Sequence, residues 1–188
     1  PCGCQSIQPG GLSRRMTLLR RLRRPGAPTL LLDAGDSIQP GLAQPEMLGF
    51  VYHTLKGMGY DVVNVGPFDR TVPTAKITEA GAAAGLALVS GPSAPGGEAP
   101  GPPVRLLRAG GMRVAVIAAD PAPAGGGGRA VIERVAAAAR RVRPSTDLVV
   151  VLSQLAPDEV ERSARAAPEV DLFISGRHDA AIAGIRRI

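Results

Sequence analysis

Side chains able to hold a metal or move a proton fall at a few points of this sequence, and most follow an aliphatic run. Asp33 and Asp36 close a Leu30-Leu31-Leu32 run, and Asn64 and Asp69 follow Val62-Val63. Ser153 and Gln154 follow Leu148 to Leu152, and Arg177, His178 and Asp179 follow Leu172-Phe173-Ile174. Cys2 and Cys4, the only cysteines, stand one residue apart near the start. Carboxylate and amide oxygens suit hard divalent cations, whereas imidazole and thiolate suit zinc, copper or iron. Two cysteines are too few for a disulfide framework, and a bridge between them would close a strained small ring. With Asp36 and His178 they could assemble a single transition-metal site. They could equally be a redox pair or a remnant of processing.

The same residue types have plainer uses. Asp36 suits a turn or a helix cap. His53 lies off the apolar face of its helix and reads as solvated, His178 as a loop histidine, and Asp69 as a loop aspartate beside Pro67.

The elements that must position these groups are legible from periodicity. Leu12 to Arg24 repeats Leu12, Met16, Leu19 and Leu22 at helical spacing, and arginine fills the remainder. Pro25 and Gly26 stop that helix. Further helices are expected over Glu46 to Met58, Thr74 to Ala84, Arg129 to Arg143 and Pro157 to Ala167. Strands are expected over Thr29 to Asp33, Asp61 to Gly66, Leu86 to Ser90, Leu148 to Ser153 and Val170 to Gly176. Val104 to Arg108 and Met112 to Ala119 flank Ala109-Gly110-Gly111, a hairpin signature. Gly91 to Pro103 holds no large apolar side chain and reads as a surface loop, and Pro121 to Gly128 as a second one. Strands alternating with helices imply a largely parallel sheet, with function gathered past the carboxyl ends of its strands.

The 188 residues are 45% hydrophobic, 20% charged and 3% aromatic, with 24 Gly and 18 Pro. That length suits one domain over residues 1–188, and the periodic apolar runs argue against disorder. No run reaches the roughly 18 apolar residues of a membrane helix, so no membrane span is expected. Net charge is +6, carried almost wholly by arginine since only Lys56 and Lys76 are lysines. This bias fits coding composition better than nucleic-acid binding, and single-strand binding would also want aromatic stacking platforms. The arginine-rich first helix reads either as a polyanion-binding face or as an ordinary solvated one. The start at Pro1, with no initiator Met and no signal peptide, reads as a mature or trimmed segment of a longer chain.

Taken in order, several segments resemble the calcineurin-like metallophosphoesterase superfamily, most closely its 5'-nucleotidase-like branch. They are Gly10-Gly11-Leu12-Ser13-Arg14-Arg15, Leu31-Leu32-Asp33-Ala34-Gly35-Asp36, Leu55 with Gly59-Tyr60-Asp61-Val62-Val63-Asn64-Val65-Gly66, Val150-Val151-Leu152-Ser153 and Asp171-Leu172-Phe173-Ile174-Ser175-Gly176. The resemblance implies an α/β fold, a four-layer αββα sandwich of mixed sheets of the metallo-dependent phosphatase type. It also implies two divalent metals at the strand ends, where one lowers the pKa of an attacking water and both clamp phosphoryl oxygens.

The sequence departs from the family pattern at nearly every ligand. Asp36 stands at the bridging carboxylate. Cys2-Gly3-Cys4 replaces Asp-x-His, Gly66-Pro67-Phe68-Asp69 replaces Gly-Asn-His-Glu, and Gln154 replaces the histidine after the Leu-Ser strand. Gly176-Arg177-His178-Asp179 keeps one imidazole, out of register with Gly-His-x-His. The expected outcome is a catalytically degenerate domain that binds or scaffolds. Cys2, Cys4, Asp36, Gln154 and His178 would form its vestigial or repurposed site, with Cys2 and Cys4 expected close to Asp36. No cofactor is expected beyond a single transition metal on Asp36, Cys2, Cys4 and His178. The resemblance further implies an extracytoplasmic location and a protein partner, a multihaem cytochrome being one candidate, while nucleic acid is not expected. Two rival readings are an active metal-dependent phosphohydrolase with a remodelled site and a basic polyanion-binding module.

Overall fold

A computed structural model describes residues 11–38, 44–91, 98–121 and 128–177. Among the described residues five α-helices, α1 (Leu12–Leu22), α2 (Pro45–Gly57), α3 (Thr74–Ala84), α4 (Gly128–Val142) and α5 (Pro157–Ala166), accompany seven strands. The strands are β1 (Leu32–Asp33), β2 (Val62–Asn64), β3 (Ala87–Val89), β4 (Val104–Ala109), β5 (Met112–Ala119), β6 (Leu148–Ser153) and β7 (Leu172–Ser175). A first sheet, β1-β2-β3, is wholly parallel, and a second, β4-β5-β6-β7, is parallel except for the antiparallel β4–β5 hairpin.

Side-chain alternation along these strands builds the layers, because successive residues of a strand point to opposite faces. Val63, Val65 and Leu88 pack against Leu48, Val51, Tyr52, Leu55 and Ile77 of α2 and α3, with α1 adding Leu12, Met16 and Leu19. On the other side, Ala115, Ile117, Val149 and Val151 pack under α4 and α5 through Val131, Val135, Ala139, Val142 and Val160. The residues of opposite parity, Val62, Val89, Val114, Val116, Ala118, Val150 and Leu152, meet between the two sheets. The order is therefore helices, sheet, sheet, helices, the four-layer sandwich expected from the resemblance. Among the described residues no helix is long and apolar enough to cross a membrane.

Several boundaries shift for identifiable reasons. α1 ends at Leu22 because Arg23 turns extended and its Nη2 donates to Met58 O at 2.7 Å. Of the expected strand from Thr29, only Leu32 and Asp33 pair with β2, since the Leu31 N–H is taken by Asp61 Oδ2 at 2.8 Å. The hairpin forms as expected, with Gly110 and Gly111 at φ 58° and 84°, the left-handed pair a tight turn needs. Over its described part, 98–103, the expected loop carries no helix or strand and exposes Glu98, Ala99, Pro102 and Pro103, yet its backbone is tied to both sheets. Pro102 O accepts from Ser90 N at 3.1 Å, Pro103 O accepts from Ala118 N at 3.0 Å, and Pro100 is buried.

Candidate functional site

The alternation that fills the space between the sheets continues one step past the strands, and there the residues turn polar. Asn64 shares the parity of Val62, Asp120 that of Val114, Val116 and Ala118, and Gln154 that of Val150 and Leu152. Asn64 and Asp120 are fully buried and Gln154 is 1% exposed. With Ala34, which continues the parity of Leu32, they close the end of the inter-sheet core with a polar layer.

Hydrogen bonds run across that layer from one sheet to the other. Asn64 Nδ2 donates to Ala34 O at 2.9 Å and to Asp120 Oδ1 at 2.7 Å, and Gln154 Nε2 donates to the same Ala34 carbonyl at 3.1 Å. Asp120 Oδ2 accepts from Gly91 N at 2.9 Å and from Arg70 Nη2 at 2.5 Å, and Arg70 Nε donates to Val65 O at 3.1 Å. Neither Gly66 nor Gly176 has room for a Cβ, which would overlap Asp36 Oδ1 in the first case and Gln154 Nε2 in the second. The backbone is thus drawn tight around these side chains.

Asp36 lies beside this layer at φ 55°, a left-handed conformation that aspartate tolerates better than most residues. Its Oδ1 accepts from Phe68 N at 2.8 Å, which ties the turn after β1 to the turn after β2. Asp69 strengthens the same tie, with Oδ1 on Ile38 N at 3.2 Å and Oδ2 on Gly66 N at 3.1 Å. Asp33 caps Gly35 N at 3.0 Å and pairs with Arg15 at 2.9 Å.

Loss of hydration sets the acid strengths here, since burial favours the neutral carboxyl. It pushes Asp69 up to about 7 against the N–H groups of Gly66 and Ile38, with Asp36 and Asp33 adding to the rise. Burial also raises Asp36, opposed by the Phe68 and Asp69 N–H groups and by the charges of Arg70 and Arg177. Asp120 is raised by burial as well, against the pull of Arg70, Asn64 and the Gly91 N–H.

Of the site residues expected from the sequence, Asp36 and Gln154 reach one end of the sandwich. Cys2, Cys4 and His178, and with them the expected closeness of the cysteines to Asp36, lie outside the described residues. His53 is exposed, as expected, with its ring Nδ1 2.9 Å from Gly49 O. Sequence reasoning missed Asp120 and Arg70, and placed Asn64 and Asp69 at strand ends without giving them partners. A signal for Asp120 existed: it is the first charged residue after the apolar run Val114 to Ala119 and keeps the inter-sheet parity.

A pair of divalent metals needs several oxygen or nitrogen ligands with free lone pairs. Here Asp69 and Asp120 use both oxygens on N–H donors, Asp36 uses one, and the Gln154 amide nitrogen is bound to a carbonyl. Among the described residues no group of three or more His, Cys, Asp or Glu is disposed to hold a metal ion. The described donor set does not fit a two-metal centre.

No protein-family model matches the chain, and a search of curated proteins finds no match. Solved structures do match. A 5'-nucleotidase precursor from Thermus thermophilus superposes with a TM-score of 0.70 at 22% identity, over 89% of this chain and 36% of that one. The NAD nucleotidase of Haemophilus influenzae gives 0.69 at 15% identity, over 89% and 36%. The Thermus thermophilus sulfate thiohydrolase SoxB gives 0.66 at 21% identity, over 88% and 34%. The fold is metallophosphoesterase-like. The chain spans about a third of the length of these neighbours, and at such identities the likeness shows the metallophosphoesterase-like fold alone.

Proposed function

We propose that this chain is a metallophosphoesterase-like domain that has given up two-metal hydrolysis and works as a binding module. One observation carries the reading: the buried polar groups at the strand ends are spent on holding the fold together. Asp120 and Asn64 join the two sheets, Gln154 holds the turn after β1, and Asp69 links Ile38 to Gly66. A phosphoryl-transfer site needs the opposite, preorganised cations and open ligands facing the developing charge. Losing one such clamp removes several kcal/mol of transition-state stabilisation, on the order of a hundredfold or more in rate. The ligand of the module would be a protein, met outside the cytoplasm, in keeping with a neighbour named as a precursor.

Turnover tests the reading directly. The purified chain, given nucleoside monophosphates or p-nitrophenyl phosphate with Mg²⁺, Mn²⁺ or Zn²⁺, is expected to release phosphate no faster than the metal alone. Metal-dependent release that disappears in Asp36→Ala would replace this reading with that of a phosphohydrolase with a remodelled site.

A further inference from the structure

The mismatch between this donor set and a metal pair raises the question of what neutralises the buried acids. Asp36, Asp69 and Asp120 all act on one another's ionisation or share a common neighbour there, and Asp69 and Asp120 are fully buried. Buried carboxylates that raise one another's pKa are unfavourable without a positive charge among them. Arg70 supplies one. Its side chain is 15% exposed, it is tethered to Val65 O through Nε, and Nη2 meets Asp120 Oδ2 at 2.5 Å. Its charge also reaches the Asp36 carboxyl.

A second, independent feature points to a cation here. Asn64 Oδ1 is buried with no hydrogen-bond partner among the described residues. An amide flip does not remove the problem, because the Asn64 nitrogen already faces two acceptors, Ala34 O and Asp120 Oδ1. Asn64 therefore turns its nitrogen to Asp120 and leaves its own oxygen buried and orphaned, and an amide oxygen in that state suits a hard cation. It is the guanidinium that holds Asp120.

We propose that Arg70 is the resident cation of this site: its guanidinium takes the charge-balancing part of a divalent metal between the sheets and keeps hard divalent metals out. The inference deepens the functional reading above and rests on the same strand-end site. It makes a distinct statement, that a latent oxygen-ligand cation site, with Asp120, Asp36 and Asn64 Oδ1 as its donors, is closed by one side chain. Arginine suits this use because it stays charged when buried and its planar fork can bond a carboxylate and a carbonyl at once.

Thermal unfolding with and without millimolar Mg²⁺ or Mn²⁺ tests it, these ions being chosen because they compete poorly for thiolates. The wild-type Tm is expected not to move. Arg70→Ala, which strands a buried carboxylate, is expected to lower Tm by on the order of 10 °C. Mn²⁺ should restore part of that loss saturably, and the recovery should vanish in the Arg70→Ala/Asp120→Asn double variant. Arg70→Gln, neutral and nearly as long, serves if the alanine variant fails to fold and is expected to show the same gain with Mn²⁺. Arg70→Lys, which keeps the charge, should stay indifferent to metal. The proposal is overturned if wild-type Tm rises with Mn²⁺ in a way that Asp36→Asn abolishes. It is equally overturned if the neutral Arg70 variants are as stable as the parent, or if they lose stability without any response to Mn²⁺. Neutral Arg70 variants that ignore Mn²⁺ while wild-type turnover stays absent would sink this proposal and leave the functional reading standing, whereas Asp36-dependent phosphate release by the wild type with Mg²⁺ or Mn²⁺ would sink both.

Discussion

Asp69 rests both carboxylate oxygens on backbone N–H groups, yet burial raises its pKa to about 7. Its unfolded value lies near 3.9. The folded chain then binds more protons than the unfolded chain between about pH 4 and pH 7, so this group's contribution is fully present below about pH 4 and lost as pH rises through 7. The slope for one such group is at most about 1.4 kcal/mol per pH unit. Asp36 and Asp120, also raised, share the sign. Asp147, held down to about 2 by Arg113, titrates below this window. Asp69→Asn removes one contributor, so the stability gap between parent and variant should narrow from pH 4.5 to pH 7.5 in urea titrations. A gap that ignores pH would mean that Asp69 ionises like an ordinary surface carboxylate. At this scale the sequence was legible only where a residue follows its strand closely. Asp36 could be found from its Gly-Asp text. Arg70, six residues past β2, meets Asp120 only because the two sheets are stacked, a contact between residues 50 positions apart that no local pattern encodes.

The β4–β5 hairpin shows what the elements demand of their residues. Gly110 and Gly111 both occupy positive φ, but a Cβ on Gly110 would come within 2.5 Å of Pro28 Cγ, whereas nothing lies within 4 Å of one on Gly111. Gly110→Ala is therefore expected to lower stability by about 1–3 kcal/mol through strain plus overlap. Gly111→Asn should lower it by under about 1 kcal/mol, since asparagine tolerates this conformation. Urea midpoints of the two variants check the ordering, and equal losses would show that Pro28 simply moves aside. The hairpin and β6 were legible because an unbroken aliphatic run between turn residues has few other uses. The segment 98–103 is the loop its composition indicates, but its Pro and Gly content hides what its backbone does. Proline lacks an N–H, but its carbonyl still accepts, and Pro102 and Pro103 satisfy Ser90 and Ala118 in that way.

For the molecule as a whole, the order of helices and strands pointed to the sandwich, while the partition of each strand's residues between two cores emerged only once the sheets were stacked. That partition makes the two halves of the chain depend on a common layer. Leu152, fully buried on β6, meets Val62 and Val89 of the first sheet through the inter-sheet cluster, and the Asn64–Asp120 and Gln154–Ala34 bonds close that layer at its end. Leu152→Ala should cost about 2–5 kcal/mol, the range for a leucine truncated in a packed core. The chain offers a way to see where that loss is felt. It has no tryptophan and two tyrosines. Both of them, Tyr52 and Tyr60, sit in the core between the first sheet and its helices, on the far side of that sheet from the substitution. Tyrosine fluorescence thus reports on the first half, and far-UV circular dichroism on all the helices and strands. If the inter-sheet layer makes one cooperative unit, Leu152→Ala will lower both transitions by the same amount and leave them coincident. A tyrosine transition that stays at the parent temperature while the dichroism falls earlier would show that the two sheets unfold independently, and that the polar layer between them is too weak to couple them.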